Sequence, residues 1–140
     1  MLILDTDHVV EFQKGTSPEA LRLKERLERS GELYATTIIS VEEMMRGWLS
    51  AIRRTTDPLR QIGAYARLRQ LFRFFATWDV ADWTVTSAAE FTSLKVKKTR
   101  VGAMDLRIAS IVLSSNATLL TRNLKDFRKV PDLRCEDWLS

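Results

Sequence analysis

One cysteine, one histidine, three prolines and five glycines are few for a chain of 140 residues, and each scarcity excludes something. The lone Cys135 rules out an internal disulfide framework, fits a reducing cytoplasm and reads as a small apolar filler near the C-terminus. With no Pro/Gly-rich linker, low-complexity tract or internal repeat to divide the chain, a single domain over residues 1–140 is expected. No apolar run approaches the roughly 20 residues of a membrane span. The start, Met1-Leu2-Ile3-Leu4-Asp5, lacks the basic region and small-residue cleavage site of a signal peptide, so no membrane partner is expected. Charge of one sign is scarce as well. Lys and Arg number 22 against 18 Asp and Glu, a net +4 that permits a polyanionic partner without demanding one.

What is present is a core's worth of apolar residues, 45% of the chain, in short runs separated by helical patterns. Leu2-Ile3-Leu4 predicts a buried strand leaving through Asp5-Thr6-Asp7 into a helical turn around residues 9–12. Ser17-Pro18 has N-cap and first-turn chemistry for a helix to about Arg29, stopped by Gly31. Residues 33–36 predict a second strand, and Ser40-Val41-Glu42-Glu43 the opening of a helix with Met44, Met45, Trp48, Leu49 and Ile52 at helical spacing. Asp57-Pro58 restarts a long helix bearing Leu59, Ile62, Leu68, Leu71, Phe72 and Phe75. A brief strand at 78–80, a helix over 84–95 and a helix from Asp105 follow, then a strand at 118–121, a turn at 123–127 and a last strand at 133–135. Strands alternating with helices, without hairpin signals, predict an α/β sandwich around a parallel sheet.

That architecture locates the chemistry. Ligands of such sheets bind beyond the carboxyl ends of the strands. Asp5 and Asp7 lie just past the first strand, Glu43 on the helix after the second, Asp105 in the first turn of its own helix, and Asp126 in the turn after Leu119-Leu120. Hard cations such as Mg²⁺ and Mn²⁺ take oxygen ligands and keep several waters, so two to four converging carboxylates suffice to hold one. Around these acids run basic stretches, Arg53, Arg54, Arg60, Arg67, Arg69 and Arg73 in the middle and Lys95, Lys97, Lys98 and Arg100 before Asp105. Acid pockets in a basic surface suit a metal site that handles phosphates, although each cation alone reads as a solvated helix face.

Each acid also has a plainer explanation. Ser40 and Glu43 have capping-box spacing. Asp105 suits the dipole of a helix N-terminus, and Asn123-Leu124-Lys125-Asp126 suits an Asx-type turn. Asp5 resists such a reading, because an acid ending an apolar strand must find partners. The lone His8 disfavours a metal-independent ribonuclease, which usually needs two groups titrating near neutrality; it reads as an N-terminal helix residue. Trp48, Trp78, Trp83 and Trp138 read as core rather than base-stacking surfaces, and Met44 and Met45 as core or interface fillers.

Four segments in order carry a resemblance: Ile3-Leu4-Asp5-Thr6-Asp7; Ser40-x-x-Glu43-x-x-x-Gly47; Gly102-Ala103-Met104-Asp105-Leu106-x-Ile108-Ala109; and Leu120-Thr121-x-Asn123-x-x-Asp126-Phe127. Each is weak alone, but in this order and spacing they resemble the PIN-domain ribonucleases, and among these the VapC toxins of bacterial VapBC toxin–antitoxin pairs. The resemblance extends through Val130-Pro131-x-Leu133 and Glu136-Asp137-Trp138. It implies a parallel sheet of about five strands flanked by helices, dependence on Mg²⁺ or Mn²⁺, and endonucleolytic cleavage of RNA, with transfer RNA the first substrate to consider. It further implies that Asp5, Glu43, Asp105 and Asp126 form the acidic, metal-holding quartet, with Thr121, Asn123 and Asp7 in supporting positions. A homodimer and a small VapB-like antitoxin are implied partners, with the apolar stripe and arginines of residues 44–75 as candidate contacts.

Two other readings remain open to the sequence. Leu4-Asp5-Thr6-Asp7-His8-Val9-Val10 also fits the start of haloacid-dehalogenase-type phosphatases, with Asp5 as nucleophile, but a Gly-Asp-x-x-x-Asp segment is missing and the chain is short for that fold. The third is a non-catalytic RNA- or partner-binding module, which the intact quartet argues against.

Overall fold

The computed structural model describes residues 1–140. Its first strand, β1 (Leu2–Leu4), is fully buried, which is what an uninterrupted apolar triplet requires of a strand covered on both faces. α1 (Thr6–Lys14) starts at once, and α2 (Pro18–Ser30) follows with Ser17 as N-cap, Pro18 in the first turn and Gly31 in the left-handed conformation (φ 66°) that ends the helix. Then come β2 (Tyr34–Thr37), α3 (Ile38–Arg53), α4 (Pro58–Phe75), β3 (Val80–Ala81), α5 (Val85–Val96), α6 (Ala103–Ser114), β4 (Thr118–Leu120), α7 (Leu124–Phe127) and β5 (Arg134–Glu136).

The five strands form one sheet in the order β3-β2-β1-β4-β5, and every neighbouring pair is parallel. The chain builds outward from β1 through β2 to β3, then returns to lay β4 on the opposite side of β1. The switch point therefore lies between β1 and β4, where Leu4 pairs with Leu120 and the Asp5 amide extends the ladder to the Leu120 carbonyl at 2.9 Å.

Alternation along the strands divides the core in two. Ile3 and Leu119 face a layer built on Leu106, Ile108, Ile111, Val112 and Leu94 from α5 and α6, joined by Phe127. Leu2, Leu4 and Leu120 face the other layer, with Val9, Leu23 and Leu27 from α1 and α2 and, from the C-terminus, Leu139. Trp78 and Trp138 pack against this second layer and Cys135 against the first, as expected of core fillers, whereas Trp83 is exposed on the surface.

Several local expectations are corrected. The helix after β2 begins at Ile38, not Ser40: Thr37 is extended (φ −110°, ψ 155°) and its hydroxyl accepts from the Ser40 amide, so the cap lies three residues earlier. Glu43 thus stands in the second helical turn and forms no capping box. The turn expected at 123–127 is a single helical turn over residues 124–127, but Asn123 gives it no side-chain cap, so the Asx reading fails. Along α4 only Leu71 is buried; Leu59, Ile62 and Phe72 face outward.

Glu11 is a buried acid tied to this scaffold rather than to the rim. It accepts the Ser17 hydroxyl at 2.8 Å and the Lys14 ammonium at 3.1 Å, and these bonds hold its pKa below the ordinary value. Ser17 meanwhile accepts from the Ala20 amide at 3.1 Å. Ser17→Ala removes a cap and a donor to a buried carboxylate together, and should lower unfolding free energy by about 1–3 kcal/mol in urea denaturation. An unchanged midpoint would show the contact to be idle.

Candidate active site

Asp5 inherits its position from the strand it ends. Its backbone is extended (φ −68°, ψ 165°), it caps α1 by accepting the Thr6 amide on Oδ1 at 2.8 Å, and its Oδ2 accepts the Thr121 hydroxyl at 2.8 Å. Thr121 directly follows β4, so these two residues close the switch point from either side. Burial, with the charge of Asp7 next, pushes the Asp5 carboxyl up to about 7, and its hydrogen bonds only partly offset this.

Asp7, in the first turn of α1, is held on both oxygens. Oδ1 pairs with His8 Nδ1 at 2.6 Å, while Oδ2 accepts the Arg122 amide at 2.9 Å and lies 3.5 Å from the Thr121 hydroxyl. The same hydroxyl accepts the Asn123 amide at 3.0 Å. The Asn123 side chain then reaches two further acids, donating to Asp105 at 3.4 Å and to Asp126 at 3.2 Å. Asp105 stands in the first turn of α6, and burial followed by the charges of Asp126 and Asp7 raises its pKa. Asp126, on the exposed edge, shifts the other way: the Asn123 amide first, then Lys129 at 3.3 Å, hold its carboxyl below the usual range.

Glu43 approaches from α3. Burial and then the charge of Asp105 raise its pKa, and its Oε1 is a buried oxygen with no hydrogen-bond partner. The neighbouring Glu42 is paired instead with Arg46 on the same helix. A buried acceptor without a donor costs free energy unless something positive meets it.

The structure thus gathers all seven residues singled out in the sequence. Asp5, Asp7, Glu43 and Asp105 are linked by mutual charge, and Thr121 and Asn123 tie Asp5, Asp7, Asp105 and Asp126 together by hydrogen bonds. As the side chains stand, no three carboxylates close to ligand distance around one point. The donor set nevertheless fits a hard divalent cation: all ligands are oxygens, three carboxyls are raised by burial and by one another, and one buried oxygen is orphaned. The site is also open. No groove of the molecule is lined by these seven residues: one groove is lined by Val10, Gln13, Lys14, Met44, Trp48, Arg67 and Gln70, another by Ile38, Ile39, Glu42, Trp83 and Arg107.

Sequence reasoning missed His8 and Ser40. His8 is fully buried between Asp7 and the Trp138 amide, and Ser40 lies beneath the site accepting the Thr6 hydroxyl at 3.0 Å. His8 could have been noticed as an imidazole directly after an acid, but nothing local foretells that residue 138 returns to it. The nucleophile alternative for Asp5 loses its footing here, because both carboxylate oxygens are engaged and the residue is 6% exposed.

The family model described as PIN domain matches residues 2–133. Over 140 residues the chain is 25% identical to the tRNA(fMet)-specific endonuclease VapC of Salmonella typhimurium, covering 97% of this chain and 96% of that one. The match to ribonuclease VapC2 of Rickettsia felis is local, 45% identical over 47 residues, and spans 34% of this chain and about a third (35%) of that protein. In fold the chain is similar to VapBC2 from Rickettsia felis bound to a promoter DNA fragment, with TM-score 0.71, 23% identity and 98% of each chain covered. DNA-bound VapBC from Salmonella typhimurium gives TM-score 0.71 at 24% identity, with 98% of this chain and 97% of that chain covered. No helix is long and apolar enough to cross a membrane.

Proposed function

The chain belongs to the PIN-domain family, and from that premise we propose that it is the endoribonuclease toxin of a VapBC-type toxin–antitoxin pair, cutting RNA at the acidic rim with the help of Mg²⁺ or Mn²⁺. The observation that carries this reading is the quartet itself: Asp5, Glu43, Asp105 and Asp126 at one rim of the sheet, of which only Asp126 is paired with a cation, Lys129. These four would hold the ion. When bound, such an ion lowers the pKa of a water and neutralises charge developing on the phosphodiester.

The chain's own side chains supply the rest. Thr121 donates to Asp5 and orients it, and Asn123 donates to both Asp105 and Asp126. Arg122, Lys125 and Arg128 lie exposed beside the same turn, ready for the flanking phosphates of a polymer on an open rim. The tRNA(fMet)-specific endonuclease VapC named above, matched over nearly its whole length, supports RNA as the substrate and a transfer RNA as the first to test.

The partner is a small VapB-like antitoxin, supported by the VapBC complexes that share the fold. Leu59, Ile62, Tyr65 and Phe72, outward on α4, are the apolar surface offered to it or to a second copy in a homodimer.

The deciding experiment uses purified chain freed of antitoxin. It should cleave structured RNA internally with Mg²⁺ or Mn²⁺ and stop on adding EDTA, with activity restored by excess metal. RNA that binds but stays whole under these conditions would leave a binding module instead, and cleavage undiminished by EDTA would remove the metal from the mechanism.

A further inference from the structure

We propose that His8 is a positioning residue that locks the active-site turn at residues 121–123 in place and is itself held by the C-terminal segment at residues 137–139. The inference rests on the metal reading above but concerns residues outside the quartet.

Both ring nitrogens of this fully buried imidazole are engaged. Nε2 accepts the Trp138 backbone N–H at 3.2 Å, so the ring proton resides on Nδ1, which donates to Asp7 Oδ1 at 2.6 Å. With Oδ1 fixed, the other oxygen of Asp7 faces the Arg122 amide at 2.9 Å and the Thr121 hydroxyl at 3.5 Å. That hydroxyl orients Asp5 and receives the Asn123 amide. One imidazole thus fixes the turn that supplies both supporting groups of the acidic rim.

The far end is built as firmly. Leu139 is buried in the core layer of α1 and α2, its amide donates to Asp137 at 2.8 Å, and the Arg26 guanidinium lies 4.2 Å from the Trp138 ring centroid. Asp137 approaches His8 Nε2 only to 3.9 Å, so the backbone amide, not that carboxylate, sets the tautomer. Any buried imidazole must satisfy both nitrogens; what marks this one is that its partners are Asp7 at the acidic rim and the backbone of the C-terminal segment. Groups that orient metal ligands from behind typically change metal affinity 10- to 100-fold when removed.

Asparagine and glutamine separate the two halves of the device. His8→Asn places an amide N–H where Nδ1 stands and keeps the bond to Asp7, whereas His8→Gln places an amide oxygen near Nε2 and keeps the bond to Trp138. Calorimetric titration with Mn²⁺ should give His8→Asn within about threefold of the unsubstituted chain, and His8→Gln and His8→Ala weaker by about 10- to 100-fold. Wild-type affinity in folded His8→Gln would overturn the proposal, as would His8→Asn falling as far as His8→Ala. Should a variant not fold, the single histidine makes nitrogen NMR of the unsubstituted chain decisive: a proton on Nδ1 is expected, and one on Nε2 overturns the assignment. If the unsubstituted chain binds no Mn²⁺ at all, the metal reading falls and this proposal with it. Binding that is indifferent to His8 sinks only the latter.

Discussion

Asp105→Asn will cut single-turnover RNA cleavage by about a thousandfold while leaving the fold intact. The figure follows from the several kcal/mol that a metal-centred site contributes to a transition state. Asp105 is where the acidic cluster converges: its charge raises both Asp5 and Glu43, and its own carboxyl is raised by burial and then by Asp126 and Asp7. Neutralising it removes one of the four proposed metal ligands and also the repulsion that would make the other acids receptive to a cation. Folding should not suffer. Asparagine matches aspartate in shape, and its amide oxygen still accepts from Asn123, now 3.4 Å from Asp105. Cleavage rates should therefore collapse while circular-dichroism melts in EDTA do not. Full activity in this variant would falsify the quartet mechanism outright.

The position of the acids was legible because topology does most of the work. An apolar triplet ending in Asp5, a strand ending at Thr121 and a parallel sheet already send both residues to the switch point, and the structure places them there at 2.8 Å. Helix chemistry was legible where it is local: Ser17-Pro18 and Gly31 bound α2 as expected, and Asp57-Pro58 opens α4. Reading failed where two local signals competed. Thr37 and Ser40 are both able caps, and only tertiary contact decides between them: Ser40 is drawn under the site by the Thr6 hydroxyl, leaving Thr37 to cap. Likewise Asn123 has turn chemistry in sequence, but its side chain is turned so that Nδ2 donates to two carboxylates and Oδ1 caps no amide of α7. The His8 contact joins residues 130 apart, and no pattern within a helix or strand encodes it.

The first two of these failures share a direction. In each, a polar side chain with a satisfactory local role gave it up to serve the rim, which is where local rules are expected to yield to function. The rim is costly as it stands: carboxyls raised by burial and by neighbouring acids, and an orphaned oxygen on Glu43, are stored as electrostatic strain.

That strain fixes the sign of the chain's pH dependence. The Asp5 carboxyl stands near 7 in the folded chain against 3.8 as the ordinary value, so between these limits the folded state holds a proton that the unfolded state has lost. Stability must then fall as pH rises from about 4 to about 7, by no more than roughly 4 kcal/mol from this group. Glu43 and Asp105 are raised too and act in the same sense; Asp126, Glu11 and Asp137 are lowered and act in the opposite one. Asp5→Asn abolishes the titration. Its amide oxygen can keep the Thr6 amide, its nitrogen can donate to Thr121, and the Thr121 hydroxyl can turn to Asp7, already 3.5 Å away. In EDTA at pH 7.5 this variant should therefore melt several degrees above the unsubstituted chain, although it cleaves no RNA. Below pH 4 the advantage should vanish. Mn²⁺ should reverse the order at pH 7.5, stabilising the unsubstituted chain and not Asp5→Asn, with protons released on binding as the acids ionise. Calorimetry near pH 6.5 in buffers of different ionisation enthalpy measures that release directly. A variant less stable than its parent in EDTA at every pH would show that Asp5 is a structural cap after all, and that the rim is not strained toward a cation.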